Sequence, residues 1–186
     1  MAELADAPDL GDDITRNGSM DFWMIERKHL KVDLLEIFSA LDNIQYKYDW
    51  IISNADIFYP QLENTPKEIK DRWNRSALLV SGQELTDRLS NDYIHFLTGG
   101  VLSAVPLGTK VEQVNKYVPH WEIENFDSPD YQFQTPLTQL EILCYDGYAW
   151  VIICESDFSE FVKEKLPLAQ KPDDYYRSLQ KQTAIE

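Results

Sequence analysis

LTQLEILCYDGYAWVIICE, residues 137–155, is two apolar runs divided by Asp146-Gly147. An Asp-Gly pair tolerates the positive φ angles of a type I′ turn, and flanking runs rich in Ile, Val, Trp and Tyr favour extended chain, so the stretch predicts a β-hairpin. With Asp146 and Gly147 as the two central turn residues, Tyr145 faces Tyr148, Cys144 faces Ala149 and Leu143 faces Trp150. One face then carries Leu140, Ile142, Cys144, Ala149, Val151 and Ile153, which is wholly apolar and is expected on a core. The other carries Glu141, Leu143, Tyr145, Tyr148, Trp150, Ile152 and Cys154. That aromatic face suits either a second packed layer or a contact surface, since Tyr and Trp are enriched at interfaces. Cys144 and Cys154 fall on opposite faces in this register, so no disulfide is expected between them.

Outward from the hairpin, strands and helices alternate without a steady βαβ rhythm. Leu34, Leu35, Ile37, Phe38 and Leu41 recur at helical spacing and predict a helix over 33–42, with Asp33 suiting the positive end of its dipole. Residues 48–53 read as a strand. Asn64-Thr65-Pro66 starts a short helix over about 66–73. ALLV, 77–80, reads as a buried strand, and Ser81 with Glu84 forms a capping box for a helix reaching about residue 90. YIHFLTGGVLSAVP is β-rich on both sides of Gly99-Gly100, as a tight hairpin or a glycine-bent strand. KVEQVNKY suits one more short helix. SDFSEFVKEKL suits a helix capped by Ser156 or Asp157. The pattern predicts a single-domain α+β fold, a mostly antiparallel sheet with helices packed on it. Residues 1–19 are expected to be a mobile acidic tail, 20–170 the domain, and 171–186 a loosely held tail.

The 186 residues carry a net charge of −15, unevenly placed. Residues 117–162 hold nine acidic residues and no Lys or Arg. Within them HWEIENFDSPDYQ, 120–132, sets four carboxylates among three large aromatics. Such a balance disfavours nucleic acid and anionic membrane as partners and favours a cationic surface, whose approach it would steer. The opening MAELADAPDLGDD lacks a basic n-region and an apolar h-region, and no apolar run approaches a bilayer span, so a cytoplasmic address is expected.

The chemistry of a reaction is not spelled out. His29, His95 and His120 lie far apart, without HExxH or CxxC spacing, so no metal site is expected. The acids at 122, 124, 127 and 130 miss the calcium-loop pattern. Gly99-Gly100 and Gly108-Thr109-Lys110 lack Walker spacing, and no GxSxG elbow occurs. Neither a cofactor nor an enzymatic activity is expected. A carboxylate-dependent enzyme remains an alternative, as does an adaptor or structural interaction protein.

DWIISNAD at 49–56, ALLVSGQELTDRLSNDYIHFLTGGVLSAVP at 77–106 and LEILCYDGYAWVII at 140–153 together resemble small cytoplasmic bacterial immunity proteins of polymorphic toxin systems. In those, a W-hydrophobic-I-S strand precedes an SG-x-E-L helix start and an aromatic-rich strand running into G-V-x-S-A. The resemblance implies a binding protein that neutralises a toxin domain and performs no reaction itself. A nuclease-like toxin needs a basic surface to hold phosphates, and an acidic inhibitor could occupy it. Under that reading Trp121, Tyr131 and Tyr148 are the expected aromatic anchors. Glu122, Glu124, Asp127 and Asp130 are the expected steering carboxylates.

Overall fold

The computed structural model describes residues 20–27, 33–60, 63–73, 77–114 and 131–183. The tail 1–19 and most of the acidic stretch lie outside the described residues. The elements in order are β1 Met20–Glu26, α1 Asp33–Ala40, a 3-10 turn Ile44–Lys47, β2 Asp49–Ser53, β3 Ile57–Phe58, α2 Lys67–Trp73, β4 Ala77–Ser81 and α3 Gly82–Ser90. There follow β5 His95–Phe96, β6 Val101–Val105, α4 Val111–Val114, β7 Leu140–Tyr145, β8 Ala149–Glu155, α5 Ser156–Lys165 and α6 Pro172–Thr183. Six strands form one antiparallel sheet in the order β1-β8-β7-β6-β2-β4, and β3 and β5 pair as a separate two-stranded ribbon. The chain is an α+β domain, as the pattern predicts.

Alternation along each strand divides the core between the two sheet faces. Trp23, Trp50, Ile52, Leu102, Leu140, Ile142, Trp150 and Ile152 pack on one face against Leu34, Ile37 and Phe38 of α1, Leu85 of α3 and Val162 of α5. Met24, Val101, Leu143, Val151 and Ile153 point the other way. They meet Tyr175 of α6 and Tyr131 and Phe133 of the segment before β7. Trp50 is fully buried; its ring lies 5.3 Å from that of Phe38, and its indole N–H donates to Gln45 O at 3.0 Å.

Several expectations are corrected. First, the β7–β8 register is one residue off the predicted one. Tyr145 pairs with Ala149, Cys144 with Trp150 and Leu143 with Val151. Asp146 and Gly147 do take positive φ, 46° and 72°, and Tyr148 N–H donates to Tyr145 O at 3.2 Å, so the tight turn exists. Tyr148, however, is an extra residue on the β8 side, and its carbonyl accepts from Arg27 N–H beyond the end of β1. One bulged residue exchanges the faces of all of β8. Trp150, Ile152 and Cys154 therefore join Leu140, Ile142 and Cys144. Both thiols lie on the same face, four ladder positions apart, and both are free and buried. Burial pushes Cys144 up to about 11 and Cys154 up to about 12, which leaves them protonated and unreactive.

Second, the chain around Gly99-Gly100 is neither a hairpin nor one bent strand. It leaves the ribbon at β5 and enters the main sheet at β6. Gly100 permits that crossing, because a Cβ there would meet Phe96 at 2.8 Å. Third, residues 172–183, expected in a loosely held tail, form α6, whose Tyr175 is 2% exposed. The sequence reading also assigns no strand to Met20–Glu26, which pairs with β8 along its whole length. At α5 the capping position is Glu155, one residue before the expected caps, and its side chain makes no capping bond.

Candidate partner-binding surface

Of the seven residues expected to contact a partner, Trp121, Glu122, Glu124, Asp127 and Asp130 lie outside the described residues. Tyr131 and Tyr148 are described, and they differ. Tyr131 turns inward: its hydroxyl donates to Glu141 Oε2 at 2.6 Å, and its ring meets Phe22 edge-on at 5.9 Å. Burial, then the neighbouring carboxylate, holds that phenol well above its ordinary value. Tyr148 turns outward and is 40% exposed. It is braced from behind by Tyr145, at 5.5 Å and 75°, and by Tyr175, at 6.5 Å and nearly parallel. Burial raises its phenol, and Tyr145 and Tyr175 add to the effect.

The described acids of 117–162 do not share one side. Glu141 is fully buried at the centre of the sheet. Asp146 occupies the β7–β8 turn. Glu155 and Asp157 lie at the opposite end of β8, where they border a shallow cleft of about 230 Å³ with Tyr48, Gln139, Leu140 and Phe158. Carboxylates at that place also complement the N-terminal dipole of α5. One continuous acidic field across these residues is therefore not what the described acids form.

Glu141 has an internal role. Its Oε1 accepts from Ser103 Oγ at 2.9 Å and from Gln134 N–H at 2.7 Å, while Oε2 takes the Tyr131 hydroxyl. Burial pushes its carboxyl up to about 7, against the three donors, which pull it down. These bonds pin residues 131–134 to the sheet.

Arg27 organises the turn end. It pairs with Asp33 at 2.5 Å, lies 5.6 Å from the Trp150 ring centre, and donates to Phe96 O and Leu97 O at 3.0 Å and to Gly147 O at 3.2 Å. One guanidinium thus ties the ribbon, the hairpin turn and the start of α1 together, and Asp33 also accepts the Trp150 indole N–H. Gly147 allows the close approach, because a Cβ there would lie 2.7 Å from Leu97 O. Sequence reasoning did not find Arg27, whose ribbon partners lie 69 and 70 residues away. Phe58 and Leu97 likewise carry no local signal, and His95 is weighed in the sequence only as a metal ligand, since a two-residue strand carries no readable period.

Among the described residues no group of three or more His, Cys, Asp and Glu is placed to hold a metal ion. No helix among them is long and apolar enough to cross a membrane. Comparison with protein-family profiles, curated proteins and solved structures gave no match.

Proposed function

We propose that this protein is an immunity-type inhibitor that binds a cationic toxin domain and blocks it by occupation, without chemistry of its own. The observation that carries the reading is Tyr148. It is an exposed aromatic on a tight turn, backed by two packed tyrosines and next to Asp146, on a chain of net charge −15. A ring held rigidly from behind loses little conformational entropy when a partner covers it, which is what interface anchors require. Because the described acids are divided between the two sheet ends and the interior, the contact narrows to the turn end, with Glu122, Glu124, Asp127 and Asp130 as further candidates.

The test is association with a toxin domain encoded beside this gene, at ionic strengths of ~0.01 M and ~1 M, where screening lengths differ about tenfold. The association rate should fall steeply with salt, and reversing the charges of Glu122, Glu124, Asp127 and Asp130 should weaken the complex. A salt-insensitive rate counts against the electrostatic reading. Absence of any complex counts against the class.

A further inference from the structure

The outer side of the small ribbon has no role in the sheet. β3 and β5 pair Phe58 with His95 and Ile57 with Phe96. Phe96 points inward and is buried, its ring 5.9 Å from Trp150. Phe58 and His95 take the other side, and Leu97 follows them there by alternation, because the ladder continues from Leu97 N–H to Asp56 O at 2.9 Å. Phe58 is 49% exposed and Leu97 42%. Leu97 abuts the β7–β8 turn at Gly147, and the next residue is the exposed Tyr148. Phe58 and Leu97 thus stand together on the outer side of the ribbon, and Arg27 clamps the backbone beneath Leu97, while the Tyr148 ring turns onto Tyr145 and Tyr175. Monomeric proteins rarely leave contiguous apolar area in water without a use for it.

The rim is anionic. Asp56 takes the Thr98 hydroxyl at 2.7 Å, Asp92 pairs with His95 at 2.6 Å, and Asp146 sits in the turn. Arg27, the guanidinium at this end of the sheet, is spent on Asp33 and on backbone carbonyls. We infer that the ribbon face formed by Phe58, His95 and Leu97 is a docking surface for a protein patch with an apolar centre and Lys or Arg at its edge. The cationic character of the occupant rests on the reading in the preceding section; the position of the surface does not.

The test uses the isotope-labelled full chain and three synthetic peptides of equal length. These are an amphipathic lysine–leucine peptide, a lysine–glycine peptide of the same charge and an uncharged leucine–serine peptide. The lysine–leucine peptide should bind best and shift the NMR signals of Phe58, His95 and Leu97. Phe58→Ser combined with Leu97→Ser should weaken it by about tenfold. Asp56→Asn, Asp92→Asn and Asp146→Asn together should weaken it as well, with thermal midpoints confirming that both variants fold. If both lysine peptides bind equally and away from this face, the docking surface is overturned while a cationic partner survives. If the leucine–serine peptide binds this face as well as the lysine–leucine one, the stated partner chemistry is overturned while the surface survives. Binding by none of the peptides overturns the inference. So does concentration-dependent shifting of these signals without peptide, which would assign the face to a second copy of the chain.

Discussion

The two faces of the main sheet are closed by different materials. On one, helices α1, α3 and α5 lay Leu, Ile, Phe and Val onto an apolar floor. On the other, Tyr175 of α6 is joined by an irregular segment, 131–139, that crosses the floor; Ser103 and Glu141 are buried beneath it, as are Gln134 and Thr138 of the segment itself. The difference follows from the backbone. A helix satisfies most of its own N–H and C=O groups, so it can seal a face with side chains alone. An irregular segment brings unpaired N–H groups to a dry place and needs acceptors there. Glu141 supplies one, taking the Gln134 N–H as well as two hydroxyls. A carboxylate in mid-strand is thus the counterpart of a loop whose Gln134 N–H is satisfied by a side chain of the sheet rather than by the loop's own backbone.

The helix-covered face should show the largest single loss. Trp50→Ala removes a fully buried indole and should cost about 3–5 kcal/mol in denaturant unfolding; a loss below ~1 kcal/mol would show that this face is loosely packed. On the other face, Glu141→Ala leaves three donors without their acceptor and should cost about 2–4 kcal/mol, with Glu141→Gln restoring more than half.

The same pair gives a pH test. The Glu141 carboxyl is raised from 4.5 to about 7, so its contribution is fully present below pH 4.5 and is lost as pH rises through about 7. The stability gap between the natural protein and Glu141→Gln should therefore narrow between those values; a gap that widens would mean the buried group stays charged throughout. Tyr131→Phe removes one donor and should cost about 1 kcal/mol by the same measurement. Tyr148→Ala should change stability by no more than about 0.5 kcal/mol, since the ring is braced but exposed. Its effect should appear in partner association instead, which separates the surface from both faces of the core.

Elements with strong local signals were legible. The Leu34–Phe38 period, the Ser81 cap and the Asp146-Gly147 turn each rest on contacts within a few residues, and each is present. The face assignment of β8 was not legible, because a single bulged residue decides it and Tyr148 is bulged by a bond from Arg27 N–H, far away in sequence. Strand β1 escaped for a related reason: its pairing with β8 is wholly long-range. Of the candidate surface, Tyr148 and Asp146 could be read from the turn. The ribbon side chains and the Arg27 clamp could not, because they meet only in the folded chain.

Gly82 carries a consequence for the Ser-Gly-x-Glu-Leu signature at 81–85. A Cβ on Gly82 would lie 1.7 Å from Gln45 O, so the first turn of α3 rests directly on the 3-10 segment's backbone. Ser81 Oγ accepts the Glu84 N–H at 3.1 Å, the Glu84 carboxylate pairs with Arg72 at 2.6 Å, and Leu85 is fully buried. Every letter of the signature is thereby accounted for by carpentry. A protein that shares those four residues can be expected to share this joint, and the signature by itself is evidence of architecture alone.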